Sequence, residues 1–460
     1  MRRIHMSSTD KLGSKLREIV GKANVIQDRS KLESYSIDGK RPKVIVSPKS
    51  IGEVSKIVAY ANQQQLSIIP RGNGTKLGMG GIPKKMDIVL STLRLKKVTD
   101  NDCENLTLSA ESGMTLKEVQ KMLANEGKGY FLPLDPPYTR EATLGGIVVT
   151  NSSGPKRLLY GTARDLIIGT KAVFPNGDIV VSGGKTVKNV SGYDMCKLLI
   201  GSYGTLGILC EMTFRLLPLP EKEATLLIPF AKLEEADGFV RELIGSQLTP
   251  TSIETLNPTA VKKMKYPMPT SNGYYLVAIG LEGVSEGVER QVSDMSEKGK
   301  KHGALRAEVL DTEQQDTFWT AFRDFSKGLS KSDPGSVSLK SNFLISKRGE
   351  ILGSFEKMTK ESGMDCGILS HCGSGILYAH LLPGKHLRPK LDSLVKLIGK
   401  LTDEAVKNGG NVVIESAPLA IKKKLDVWGQ PRDDYRVVQR LKEQIDPAGI
   451  LNPGRFVGGI

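Results

Sequence analysis

At 460 residues the chain is longer than one hydrophobic core usually organises, so two domains or more are expected. Hydrophobic residues at 39% and charged residues at 25% describe a globular chain in water; no apolar run reaches the roughly 18 residues of a membrane span, because Leu198 to Leu209 is broken by glycines and polar groups. A net charge of +15 suits an acidic partner, an anionic surface or a charged ligand, yet the lysines are scattered, aromatics are 5% and no stacking or helix-turn-helix pattern occurs, which argues against nucleic acid.

Cys103, Cys196, Cys210, Cys366 and Cys372 are odd in number and form no CxxC, so the chain is expected to hold neither an iron–sulfur cluster nor structural zinc, and its thiols are read as buried and reduced. Arg2 and Arg3 are not followed by an apolar segment, so no secretory signal is read and the cytoplasm is the expected location.

In chain order, residues 10–35 read as one or two short helices polar enough to be peripheral. From Val44 strands alternate with helices. Ser50 and Glu53 form a capping box for a helix over 50–65, and an apolar strand over 66–69 runs into Pro70. There begins PRGNGTKLGMGG, residues 70–81, with five glycines in twelve residues. Glycines accept positive φ and leave successive N–H groups bare, so such a loop can form a concave nest for an anion. It leaves a strand end, where α/β sheets hold ligands.

Strands over 88–90 and 106–110 and a helix from a Thr115/Glu118 box to Gly127 close half a domain near residue 130. LDPPYTREATLGGIVVTNSSG, residues 134–154, brings the small groups Thr143, Gly145, Gly146, Ser152 and Ser153 toward the first loop. Strands over 166–174 and 179–182 flank a Pro175-Asn176-Gly177 turn. NVSG at 189–192, a helix over 194–200, the turn Gly201 to Gly207 and a strand over 208–216 complete a third glycine-rich turn on the same face. Pro218 and Pro220 mark a boundary.

Beyond it the order strand, helix, two strands, helix, strand occurs twice, over 223–310 and 336–415, joined by a helix over 312–330. Two ferredoxin-like units sharing one sheet with helices on one side are expected. A helix over 433–445 and the loop DPAGILNPGRF end the chain.

The succession RGNGTKLG, DPPYTREATLGG, NVSGYDMCKLLIGSYGTLGI and LNPGRF resembles the FAD-dependent oxidoreductases of the vanillyl-alcohol oxidase type, whose flavin domain is shared with p-cresol methylhydroxylase. ESAPLAIKKKLDVWG at 415–429 and the tail are similar to the FAD-binding subunits of bacterial glycolate oxidases. The resemblance implies an α+β chain: an N-terminal helical segment (1–39), a PCMH-type FAD-binding domain of two α/β subdomains (40–220), a ferredoxin-like α+β cap (221–424) and a segment returning to the flavin domain (425–460).

It further implies that Pro70, Arg71, Gly72, Asn73, Gly74, Thr75, Lys76 and Leu77 hold the FAD pyrophosphate, with Pro136, Thr143, Gly145, Gly146 and Ser153 on its other side. Gly207 and Ile208 would meet the adenine or ribitol portion, and Asn452 would lie near the isoalloxazine. Covalent members carry histidine where this chain has Thr75, so the flavin is expected to be non-covalent. Trp319 and Arg323 match the family's tryptophan and its carboxylate-binding arginine.

Two motifs depart from the family. Where its hydroxy-acid dehydrogenases read HxGDGNLH, this chain has His371-Cys372-Gly373-Ser374-Gly375-Ile376-Leu377-Tyr378, and where they read EHGIG it has Glu415-Ser416-Ala417-Pro418-Leu419. No metal is therefore expected, His371 and Arg323 are the catalytic candidates, and His380 and His386 are read as solvated or core-edge groups. The implied activity is oxidation of a small 2-hydroxy acid such as glycolate or D-lactate, with electrons passing to an iron–sulfur partner subunit that would also bring the chain to the inner face of the membrane. The other reading is an accessory FAD-carrying or electron-relay subunit whose sister flavoprotein chain performs the chemistry.

Overall fold

Ser50 caps the helix Ile51–Gln63 in the computed structural model, which describes residues 8–102, 104–184, 193–264, 266, 273–384 and 390–460. Its hydroxyl accepts the Glu53 N–H at 3.3 Å, but the Glu53 carboxylate accepts the Lys49 N–H at 2.7 Å, so the cap is one residue wider than the reciprocal box. Val54, Ile57, Val58 and Ala61 pack onto a four-stranded sheet ordered Val25–Ile26, Val44–Val46, Ile88–Ser91, Ile68–Arg71, parallel except at its first strand.

The N-terminal helix is not peripheral. Ser8–Val20 places Leu12, Leu16 and Val20 in that same core, at 4%, 0% and 6% exposure. Their four-residue spacing makes a narrow apolar stripe that the surrounding polar and charged residues outnumber in any average.

A five-stranded antiparallel sheet follows, ordered Val98–Asp102, Thr107–Glu111, Ile208–Arg215, Ile167–Val173, Ile179–Gly183. The expected closure near residue 130 is thus displaced, because Thr107–Glu111 pairs with Ile208–Arg215 and belongs to this second sheet. Strand alternation reports which face is buried, and it is silent about the partner strand. Helix Leu116–Glu126 carries the complete Thr115/Glu118 box and ends on Gly127 in the left-handed region. The hairpin turn rests on Gly177 (φ 92°), whose carbonyl accepts the Ser55 hydroxyl at 2.6 Å, tying the two sheets' subdomains together. The NVSG turn at 189–192 lies outside the described residues.

The second half forms an eight-stranded antiparallel sheet ordered Glu308–Leu310, Lys222–Phe230, Tyr275–Gly283, Ser252–Leu256, Asp365–His371, Ile376–Leu382, Val337–Asn342, Asn411–Ser416. Two ferredoxin-like units meet edge to edge where Glu254 pairs with His371 and Leu256 with Leu369. Successive residues of one strand enter different cores, as a period of two requires: Leu226 and Ile228 face helices Leu233–Ile244 and Ser285–Lys301, whereas Leu227 faces Phe318, Phe322 and Phe325.

The expectation of helices on one side therefore holds for the repeated units and fails for the linker. That linker is two helices, Thr312–Arg323 and Phe325–Ser332, meeting at Asp324, and it covers the opposite face. Finally, helix Tyr435–Ile445 leads back to the first sheet, where Ile68 N–H donates to the Ile450 carbonyl at 2.7 Å and Asn452 N–H to the Ile68 carbonyl at 2.8 Å.

Candidate active site

The three glycine-rich turns converge. A channel of about 70 Å³ is walled by Pro70, Arg71 and Gly72 from the first, Gly145 and Gly146 from the second, and Gly204, Gly207 and Ile208 from the third. The approach is as close as backbone allows: a Cβ on Gly72 would stand 2.2 Å from Thr143 Oγ1, and one on Gly145 would stand 2.9 Å from Ser112 Cβ. Thr143 caps helix Leu144–Thr150, its Oγ1 accepting the Gly146 N–H at 3.3 Å. The Arg71 guanidinium lies over the Tyr35 ring at 3.9 Å. Ser112 Oγ, in the channel wall, is buried and lacks a hydrogen-bond partner, as does Asn452 Oδ1. Glycines with no room for Cβ and an unsatisfied hydroxyl are what a phosphate-bearing ligand would complete.

The remaining positions of the loops lie elsewhere. Thr75, Lys76 and Ser153 line a larger inner cavity of about 280 Å³ between the turns and the eight-stranded sheet. Gly74 supplies a positive φ of 79°, and Leu77 packs against the core beneath the loop. Asn73 Nδ2 donates to the Glu141 carbonyl at 2.8 Å, and the Pro136 carbonyl accepts the Thr139 hydroxyl at 2.6 Å, so neither lines a cavity. Asn452, at φ 49°, donates from Nδ2 to the Tyr203 carbonyl at 2.5 Å.

The cap supplies Arg323, Lys340, His371, Tyr378, His380 and Glu415 to the inner cavity. Arg323 ends helix Thr312–Arg323, which is fixed to the sheet by the Trp319 Nε1–H bond to Thr225 Oγ1 at 2.8 Å. Its hydrogen bond to Thr320 Oγ1 is long, 3.4 Å, and leaves most of the guanidinium fork for another acceptor. Burial raises the proton affinity of the nearby Asp135 carboxyl, and the Arg323 charge pulls it back.

His371 Nδ1 lies 2.7 Å from Glu254 Oε2, with both groups buried. Burial pushes His371 down to about 3 and Glu254 well above the usual carboxyl range, so the imidazole is a weak base. His380 is neither solvated nor at a core edge. It is 3% exposed, packs against Phe325 at 5.0 Å between ring centroids, lies 2.9 Å through Nδ1 from Ser338 Oγ, and is pushed by burial to about 3. His386 lies outside the described residues.

Two residues that wall the site stand inside the glycine-rich motifs but were not singled out there. Tyr203 belongs to both cavities, in the left-handed region at φ 55°, and its ring meets Trp428 edge-on at 4.8 Å. Tyr138, at φ 62°, donates its N–H to Asp324 Oδ1 at 2.7 Å across the gap between turn and cap. Both sit within loops whose glycines drew attention first, and a non-glycine residue among them was the available signal. Cys196, Cys210, Cys366 and Cys372 are buried free thiols away from both cavities; Cys103 lies outside the described residues. Among the described residues no helix is long and apolar enough to cross a membrane.

Comparison with known proteins gives the same picture at family level. Residues 42–183 match the FAD binding domain family, and residues 219–456 match the C-terminal domain of FAD linked oxidases. The chain is 29% identical over 420 residues to glycolate oxidase subunit GlcD of Bacillus subtilis (strain 168), spanning 90% of this chain and 89% of that one. It is 27% identical over 471 residues to a D-lactate dehydrogenase of Anaerostipes hadrus, spanning 97% of each. Substrate-bound p-cresol methylhydroxylase superposes with a TM-score of 0.76 over 98% of this chain and 97% of that one, at 17% identity, a likeness of fold.

Proposed function

The chain belongs to the FAD-linked oxidases, and on that premise we propose that it oxidises a small 2-hydroxy acid such as glycolate or D-lactate with FAD held non-covalently. Residues 40–220 and 425–460 are read as the flavin module, 221–424 as its cap, and 1–39 as a helical segment preceding them. The channel of Gly72, Gly145, Gly146, Gly207 and Ile208 would take the diphosphate, with Thr143 and Ser112 as hydroxyl donors. Thr75, where a histidine would be needed for a covalent link, faces the inner cavity. FAD, once bound, supplies the acceptor for the hydride that leaves C2.

The observation that carries the reading is Arg323, a half-buried helix end that turns an unspent guanidinium fork into the cavity, as recognition of a carboxylate requires. His371, neutral and held through Nδ1, would hydrogen-bond the substrate rather than take its proton. Electrons are assigned to a partner iron–sulfur subunit, and the enzyme to the cytoplasm, touching the membrane only through that partner; the subunit name of the B. subtilis relative supports a multi-subunit assembly.

Mixing the purified yellow chain with glycolate or D-lactate without oxygen tests the activity. Prompt bleaching is expected; a flavin that stays oxidised with both would favour the accessory subunit, with catalysis in a sister chain.

A further inference from the structure

Oxidising a 2-hydroxy acid breaks C2–H and O–H together, and the hydroxyl proton needs a base within reach whose proton affinity lies near working pH. The inner cavity's histidines are poorly suited. His371 and His380 each engage Nδ1, with Glu254 and Ser338, and both are pushed down to about 3 by burial. Tyr138 is pushed up to about 12, again by burial, and Tyr378 well above its usual range.

Lys76 differs from all of these. It stands on the glycine loop, yet its side chain reaches past the channel into the cap-lined cavity. Its Nζ donates to the Pro137 carbonyl at 3.1 Å and lies 5.0 Å from the centre of the Tyr138 ring. Lys76 is half-buried and forms part of the cavity wall. The next residue of that turn, Tyr138, is bonded to Asp324, the neighbour of Arg323, so one turn brings the amine and the guanidinium fork to one chamber.

A second lysine shares the ring. Lys327 Nζ lies 5.3 Å from the Tyr138 centroid, but it is matched by Glu141 at 2.6 Å and Asp324 at 3.7 Å. Lys76 has no carboxylate in ion-pair contact among the described residues, so of two cations about one ring it is the one to give up its charge. Burial lowers it to about 8; Glu415 and Asp324 oppose that change and Lys340 adds to it.

We propose that Lys76 Nζ is the general base that accepts the hydroxyl proton of a 2-hydroxy acid whose carboxylate is held by Arg323. The assignment rests on the function proposed above. The O–H bond breaks and its proton passes to Nζ, the C2–H electron pair leaves as hydride to bound FAD, C–O becomes C=O, and the ammonium later returns its proton to water.

The test is the anaerobic half-reaction of FAD-loaded protein with D-lactate and with glycolate. Lys76→Met should keep FAD and slow flavin reduction at least about 100-fold, with substrate affinity within about fivefold of the parent. The parent rate should rise with pH through about 8; Lys76→Met should lose that limb, and added methylamine should restore rate to Lys76→Ala in proportion to its concentration. A Lys76→Met enzyme within about fivefold of the parent rate, or one that keeps the pH limb while Lys76→Ala ignores amines, overturns the assignment. Trace labelling of the parent chain with acetic anhydride, read by peptide mass spectrometry, needs no turnover: Lys76 should titrate near 8, and a midpoint beside the ordinary lysine value of about 10.4 would overturn it even if the flavin bleaches. A parent flavin that no 2-hydroxy acid bleaches removes the functional reading, and this one with it.

Discussion

Gly74 holds a conformation that a β-branched residue resists, φ 79°, and a Cβ there would stand 2.9 Å from Arg71 Nε. Gly74→Val should therefore yield folded but colourless protein, measured as the ratio of flavin to protein absorbance; full occupancy would detach this turn from the cofactor. His380 permits a stability experiment, because it is buried, uncharged and displaced downward from 6.5 to about 3. The unfolded chain then binds the extra proton first, so stability is present above 6.5 and is lost as pH falls toward 3. The loss amounts to about 2 kcal/mol by pH 5. Melting temperatures from pH 8 to 5 should drop for the parent and drop less for His380→Gln.

At this scale the glycines were legible in the sequence and the aromatics were not. Glycine spacing reports backbone conformation, a local property, so Gly72, Gly74 and Gly207 could be assigned to turns before any fold was known, whereas Gly145 lies in the first turn of the helix Leu144–Thr150. Tyr203, Tyr138 and Glu254 acquire their places from residues far along the chain, and nothing adjacent to them in sequence encodes the neighbour.

Among elements, the helix Thr312–Arg323 does the most for the site, since it carries Arg323 at one end and is pinned at Trp319. Trp319→Phe removes the bond to Thr225 while keeping most of the packing, and should cost about 1 kcal/mol of stability. With the helix less firmly held, KM for the hydroxy acid should rise while FAD content stays unchanged; steady-state kinetics beside a flavin assay would separate the two. Caps located two helices in advance, from Ser50 and Thr115, because a cap is read within four residues; the helix Leu144–Thr150 was not foreseen, since Thr143 reads only as a small group beside the first loop. Which strand lies beside which was less legible: Thr107–Glu111 has the same alternation whether it joins the first sheet or the second, and only closure of the chain by Ile208–Arg215 decides.

Over the whole molecule, the tail's return joins chain ends to turns. Lys442 is buried, with Nζ donating to the Thr205 carbonyl at 2.7 Å, the Leu451 carbonyl at 3.1 Å and the Asp446 carboxylate at 2.5 Å. It connects the closing segment to the third glycine-rich turn. Lys442→Met would leave Asp446 buried without its cation, at a cost of about 3–5 kcal/mol. A lower melting temperature and weaker FAD retention should appear together, because the segment that loosens is the one that buttresses the turn.

The seam of the large sheet has a consequence for ancestry. His371 and its carboxyl neighbour Glu254 face each other across the seam where the strands of the two repeats pair, one contributed by each. Neither repeat by itself could have presented that couple, so the chemistry housed there cannot be older than the fusion of the halves, and drift in one half is answerable to the other.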